Sequence, residues 1–364
     1  MENVVLYRKY RPKNFGEIIG QSHVVQTLTN SINSGSISHA YLFSGPRGSG
    51  KTTIARIFAK AINCQKPSGF EPCGICASCT EIMNGKSMDL VEIDAASHTG
   101  VDDVRELIDG IKFAPVSSKY KIFIIDECHQ LSKSASNALL KTLEEPPAHA
   151  VFLLATTEAH KMLPTIISRC QRFDFKRLQS PEIIQKLEFI LKKEGVKFEP
   201  AILPLIALNA RGSFRDAESL LDKCMNFSSG TIKLNDIKEL LGIVEVGQIS
   251  QFVNFLQAKK AKEAVMHLNA MADSGVDLQE FTKTLVFYLR QALLLKINPD
   301  LLNAQTSGLS AEELSTMKAQ ITNLSQEDVQ RMLELFIDAE NKMRHATILQ
   351  LPLELAVIDL TSKE

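Results

Sequence analysis

Gly45-Pro46-Arg47-Gly48-Ser49-Gly50-Lys51-Thr52 constrains this chain more than any other stretch, because it matches G-x-x-x-x-G-K-[ST] in a setting that restricts the fold. Ahead of it runs Ala40-Tyr41-Leu42-Phe43, a short apolar run of strand type. After it, Thr53–Lys60 repeats apolar residues at helical spacing. Strand, glycine loop, helix is the arrangement in which backbone N–H groups converge on phosphates and the helix N-terminus adds the positive end of its dipole. Gly45 to Thr53 are therefore expected to cradle a nucleoside triphosphate. Lys51 would reach the β and γ phosphates, and Thr52 would hold Mg²⁺ through its hydroxyl. The competing reading is a Gly-rich turn before an ordinary helix; the flanking strand and helix speak against it. The loop is expected at the surface.

A second motif fits the first. Lys121-Ile122-Phe123-Ile124-Ile125-Asp126-Glu127 is an apolar run ending in two acids, which reads as a buried parallel strand carrying carboxylates at its C-terminal end. Asp126 can support Mg²⁺ and Glu127 can act as general base on the attacking water. Asp89–Asp94 and Ala150–Thr157 read as further strands. Thr157 stands where a hydroxyl could meet a γ-phosphate or its water, or could satisfy a turn. Between them Ser132–Leu143 reads as a helix stopped by Glu144-Glu145-Pro146-Pro147. Strands alternating with helices give the α/β class, with a parallel sheet over residues 1–178.

Cys64, Cys73, Cys76 and Cys79 stand close together, spaced C-x8-C-x2-C-x2-C, in a loop rich in Pro and Gly. Four thiolates suit a closed, structural Zn²⁺ site; an iron–sulfur cluster is the rival. Cys128, Cys170 and Cys224 read as buried bystanders. The formal net charge of −1 gives no global basic field, yet residues 1–60 hold eight Lys/Arg against Glu2 and Glu17, a net of +6. A basic surface near the nucleotide, or a solvated face, would account for it. With no apolar run of membrane-spanning length and no signal-peptide pattern, no membrane association is expected, and the reading is a cytoplasmic protein.

From Ser180 onward the strand signals fade. Pro181–Lys193, with Ile184, Leu187, Ile190 and Leu191 on one face, Pro200–Arg211 and Arg215–Met225 read as a small helical unit over 179–243. Arg215 opens a helix, where a cation invites an anionic partner; a plain surface Arg is the other view. Residues 244–364 read as all-helical. Ser325-Gln326-Glu327-Asp328 has capping-box form, and Met332, Leu335, Phe336, Ala339 and Met343 form a stripe of core or subunit interface.

These residues together resemble a known family, the gamma/tau ATPase of bacterial sliding-clamp loaders, within the AAA+ class. The likeness runs through Tyr7–Phe15, Ile19-Gly20-Gln21, His39–Gly45, the four cysteines, Asp94-Ala95-Ala96-Ser97, Asn137–Pro147 and Ser168-Arg169-Cys170. It implies a nucleotide-binding domain over 1–178 with a zinc module at about 64–79, a helical lid over 179–243 and an all-α collar over 244–364. It further implies that Arg169 acts on the neighbouring subunit's ATP, that Thr157 and Arg215 are sensors, and that Tyr10-Arg11-Pro12 and Ile19-Gly20 pack around adenine. Arg105 and Thr165 are candidates for template phosphates, although His98 and Gly100 stand where basic residues are common. The partners implied are delta and delta-prime subunits and copies of this chain in a heteropentamer, the sliding clamp, and primed DNA at replication forks in the nucleoid. Ending at Glu364, the chain has the form of a gamma product or of a truncated tau. Another AAA+ motor, such as a branch-migration or protein-remodelling ATPase, is the alternative, and a scaffold lacking catalysis is a third; intact Lys51, Thr52, Asp126 and Glu127 oppose the last.

Overall fold

The computed structural model describes residues 5–97, 109–227, 230–234, 237, 240, 246–298, 311–322 and 324–362. His98, Gly100 and Arg105 lie outside the described residues. Two compact units are present, Met1–Val196 with Ile206–Lys223, and Lys197–Leu205 with Cys224–Glu364.

The first unit is built on a parallel five-stranded sheet: β1 (Ala40–Ser44), β2 (Leu90–Asp94), β3 (Lys121–Asp126), β4 (Ala150–Thr156) and β5 (Gln171–Asp174), in the order β2-β3-β4-β1-β5. The α/β class expected from the sequence is observed. Every residue of β1 and β4 is buried, so both read as unbroken apolar runs instead of alternating ones. Successive side chains still point to opposite faces. Tyr41 and Phe43 pack with Phe58 and Leu28 on one side, while Leu42 packs with Phe123, Leu139 and Leu154 on the other. Ser44 pairs with Thr156 and Asp94 with Asp126, so the strands' C-terminal ends share one edge. β5 is a finding the sequence reading lacks. It is a four-residue edge strand with one buried side chain, Phe173, too short to carry a period.

Helices follow their local signals closely. Ser132 caps the Lys133–Glu144 helix, its Oγ accepting from the Ala135 N–H at 3.2 Å. The Ser180–Glu194 helix buries Ile183, Leu187, Ile190 and Leu191, and with them Lys186. Ile184, expected on that face, is only half-buried.

Among its described residues the second unit is helical apart from a single bridge between Phe198 and Ile232. Its helices Val246–Gln257, Ala261–Asp273, Leu278–Ile297, Ala311–Thr322, Gln326–Met343 and Leu351–Thr361 enclose a core that includes Phe252, Phe281, Met317, Phe336 and Val357. Met332, Phe336, Ala339 and Met343 are buried there, with Leu335 packed at the margin, so the stripe is core. Ser325 and Asp328 close the capping box. Gln320 ties three of these helices: its Nε2 donates to Ser250 O and Asn254 Oδ1, and its Oε1 accepts from Tyr288 Oη at 2.6 Å. No described helix is long and apolar enough to cross a membrane.

Candidate nucleotide and metal sites

The glycine loop leaves β1 at the sheet's C-terminal edge and enters the Lys51–Ile62 helix through Gly50, at φ +98°. Gly48 stands at φ +73°, and a Cβ there would lie 1.9 Å from Ser213 Oγ, so this position requires glycine on both counts. Phe214 N–H donates to Gly48 O at 3.2 Å, seating the start of the Phe214–Phe227 helix on the loop. Lys51 is 5% exposed, which corrects the expectation of a surface loop at this residue. Its Nζ donates to Gly45 O at 2.8 Å and Pro46 O at 2.9 Å. Burial lowers its pKa, opposed by the charges of Glu127 and Asp126.

Thr52 and Asp126 meet directly, Thr52 Oγ1 donating to Asp126 Oδ2 at 2.7 Å. These are the two groups expected around Mg²⁺, brought together from a helix start and a strand end 74 residues apart. Glu127 follows in the left-handed region at φ +47°, an uncommon conformation for a residue other than glycine. Its Oε2 accepts from Thr157 Oγ1 at 2.9 Å and Thr157 N at 3.2 Å. The turn after β4 is instead satisfied by Thr156, whose Oγ1 accepts from the Glu158 N–H. Thr157 thus acts on Glu127. His129, which the sequence reading passes over, lies 3.4 Å from Glu127 Oε2 and 3.0 Å from Thr156 Oγ1.

A cleft runs from this cluster to the N-terminal segment. Arg47, Gly48, Ser49, Gly50, Lys51, Thr52, Thr53, Asp126 and Glu127 line one end; Arg11, Pro12 and Ile19 line it further along, and Arg215 also faces it. Arg215 sits over the Tyr7 ring, 5.2 Å from its centroid. Tyr10 and Gly20 stand behind the wall. Tyr10 Oη donates to Glu194 Oε1, its carbonyl accepts from Lys186 Nζ, and a Cβ on Gly20 would strike Glu182 and Leu178 at 2.9 Å. Tyr7, Arg8, Glu17, Ile18, Lys186, Phe214 and Glu218 line the cleft without having been expected there. Lys186 and Glu218 carry a legible signal: each is a charged residue on the apolar stripe of its helix. Burial lifts the Glu218 carboxyl to about 7. Much of the N-terminal basic excess converges here through Arg8, Arg11, Arg47 and Lys51, while Arg56 pairs with Glu92 and Lys9 with Glu194.

Arg169 does not line this cleft. Its guanidinium donates to Glu144 Oε1 at 2.7 Å and to Thr165 O at 2.8 Å, within its own unit.

The sulfurs of Cys64, Cys73, Cys76 and Cys79 lie within 4.8 Å of one another. Tetrahedral Zn–S bonds of about 2.3 Å place sulfurs nearly 4 Å apart, close to the 4.0 Å between Cys73 and Cys79. Backbone N–H groups of Cys73, Cys76 and Cys79 point at the sulfurs of Cys64, Cys73 and Cys76 at 3.3–3.5 Å, as thiolates require. Donation from the Ile75 and Cys76 backbone lowers the Cys73 thiol to about 6. Four sulfurs leave no place for water, so this donor set fits a structural ion. The module also grips the N-terminal segment: Glu71 Oε2 accepts from the Phe15 N–H at 2.9 Å and Oε1 from the Gly16 N–H at 2.8 Å, and the Phe15 and Phe70 rings meet edge-on.

Residues 20–179 match the family model of the DNA polymerase III delta subunit, 182–230 that of the DNA polymerase III clamp loader subunit ATPase lid domain, and 232–364 that of DNA polymerase III subunits gamma and tau domain III. The chain is 47% identical over 301 residues to DNA polymerase III subunit tau of Bacillus subtilis, covering 83% of this chain and 54% of that one. Identity to the Escherichia coli tau subunit is 37%, covering 98% and 55%. Identity to the gamma subunit of Buchnera aphidicola from Acyrthosiphon pisum is 35%, covering 100% and 99%. The chain thus spans about half the length of the tau relatives and nearly all of that gamma relative. Among solved structures it is similar to Thermotoga maritima RuvB, a Holliday junction branch migration motor, at 19% identity and TM-score 0.48 over 74% of this chain and 86% of that one.

Proposed function

The chain belongs to the DNA polymerase III gamma/tau subunit family, and on that footing we propose that it is the ATPase subunit of a clamp loader. In this reading ATP and Mg²⁺ bind in the cleft, and ATP binding assembles this chain with copies of itself and with delta and delta-prime subunits. The assembly opens a sliding clamp around primed DNA, and hydrolysis releases both. The organisation we propose is a nucleotide-binding domain over 1–178, a lid over 179–243 and a collar over 244–364. The setting we propose is the cytoplasmic replication fork.

One observation carries the reading: Lys51, Thr52, Asp126 and Glu127 converge at the C-terminal edge of a parallel sheet, Thr52 already bonded to Asp126. Thr52 and Asp126 would hold Mg²⁺, which would draw charge from the β and γ phosphates. Lys51 would leave its own loop carbonyls for those phosphates, and Glu127 would accept the proton of the attacking water. Arg215 would bring the lid's charge onto the nucleotide, and Arg169 would serve a neighbour's. Cys64, Cys73, Cys76 and Cys79 would hold Zn²⁺ as a staple for a loop with little core. The test is Lys51→Ala in the intact chain, measured by ATP titration. Loss of tight binding is expected, because the cleft's phosphate end loses its buried cation; wild-type affinity would overturn the assignment.

A further inference from the structure

One acid in the cleft has no part in the chemistry just described. Glu218 lies one turn beyond Arg215, faces the cleft and is 5% exposed. Among the described residues its carboxyl has no hydrogen-bond or ion-pair partner. Lys186 is the cation that acts on it, yet the Lys186 ammonium is already engaged by the Tyr10 carbonyl at 2.9 Å. Its carboxyl faces the cleft, where a donor entering with a ligand can reach it.

Its place along the cleft narrows what that donor is. The acids acting on Lys51 at the phosphate end are Glu127 and Asp126, whereas Glu218 is coupled to Lys186. Lys186 bonds the Tyr10 carbonyl, next in the chain to Arg11 and Pro12, and Pro12, Ile18 and Ile19 give the cleft apolar side chains that suit a flat ring. A carboxyl with no hydrogen-bond or ion-pair partner disfavours a phosphate beside it. A base edge carrying an amine is the donor that suits it.

We propose that Glu218 reads the base: a carboxyl oxygen accepts from the exocyclic amine of adenine and disfavours a purine that presents a carbonyl at that position. The inference rests on the nucleotide reading of the cleft. With the carboxyl ionised, a purine carbonyl would set two acceptors against each other, the arrangement by which a site built around a hydrogen bond rejects an analogue. Losing a hydrogen bond to a charged or buried group changes affinity by about 10- to 100-fold.

The test titrates the intact chain with ATP, ITP, purine riboside triphosphate and 2′-deoxy-ATP, comparing wild type, Glu218→Leu, Glu218→Gln and Lys51→Ala. Wild type should bind ATP about 10- to 100-fold more tightly than ITP. Glu218→Leu should bring the two together by weakening ATP, with purine riboside triphosphate unchanged. Glu218→Gln keeps an acceptor oxygen for adenine but can turn its amide to donate to the inosine carbonyl, so it should hold ATP affinity and narrow the preference. A wild-type chain that binds ATP and ITP alike overturns the proposal, as does Glu218→Leu with the wild-type ratio. So does a change confined to 2′-deoxy-ATP, which would move Glu218 to the ribose. If wild type binds none of the four, the nucleotide reading itself fails; if it binds ATP and only the Glu218 result fails, the cleft stands and the base contact falls.

Discussion

At the residue scale, the cleft separates two kinds of carboxylate by their surroundings. Asp126 and Glu127 stand beside Lys51 and Thr52, where charge is compensated, while Glu218 is buried with no hydrogen-bonded partner. Glu127→Gln should therefore still bind ATP and turn over at least ~100-fold more slowly, the scale for losing a general base. Equal turnover in a steady-state assay would move the base elsewhere. Thr157→Ala, which removes the hydroxyl bond to Glu127 and leaves the backbone N–H bond, should lower kcat with little change in ATP affinity. A defect in ATP affinity alone would contradict that role. Glu218 makes a separate prediction about stability without nucleotide. Its carboxyl titrates at about 7 when folded, above its ordinary 4.5, so the folded chain holds a proton that the unfolded chain has lost. Its contribution is then present below about pH 4.5 and is lost as pH rises towards about 7. At about 1.4 kcal/mol per pH unit, the loss is on the order of 3 kcal/mol. Relative to Glu218→Gln, wild type should become less stable across that window, read from paired unfolding midpoints; a flat difference would contradict it. The sequence shows Lys51, Thr52 and Asp126 plainly, because a motif fixes their spacing. It shows Glu218 and Lys186 only as charged residues on apolar helix faces, and their meaning depends on two helices meeting the N-terminal segment.

At the scale of elements, strands with an apolar run are the legible ones, the edge strand Leu90–Asp94 among them although none of its residues is fully buried. Lys121–Asp126 and Ala150–Thr156 are uninterrupted apolar runs because helices cover both sides of the sheet. Gln171–Asp174 is not legible, since three of its four residues are exposed at the edge. The cysteine spacing reveals the thiol cluster but not its attachment. ATPase chemistry would survive loss of the module if it folded apart from the rest of the unit, but the Glu71 clasp on Phe15 and Gly16 ties it to the N-terminal segment. Those residues lead directly into Ile18 and Ile19 at the cleft. Elemental analysis should find one zinc per chain, and Cys76→Ser should lower it; iron, or no metal in protein prepared without chelator, would contradict the assignment. Glu71→Ala should leave the zinc content intact and weaken ATP binding, because two N–H groups lose their anchor. Unchanged affinity would show the clasp to be incidental.

At the scale of the whole molecule, one chain presents Arg169 away from its own cleft, held by Glu144 on a partly exposed surface. Such a pair contributes about 0–1 kcal/mol, too little to keep the guanidinium from a triphosphate on a neighbour. An arginine supplied across a boundary is worth about 10³–10⁵ in rate, and this role is invisible in a lone sequence except through family resemblance. The most direct measurement mixes Arg169→Ala chains, which bind ATP but donate no arginine, with Lys51→Ala chains, which donate an arginine but bind no ATP. With delta and delta-prime subunits, clamp and primed DNA present, each variant alone should hydrolyse ATP far below wild type, and the mixture should recover a substantial part of the rate. A mixture no faster than its two components would contradict an arginine acting between subunits, and with it the assembly-driven ATPase proposed for this chain.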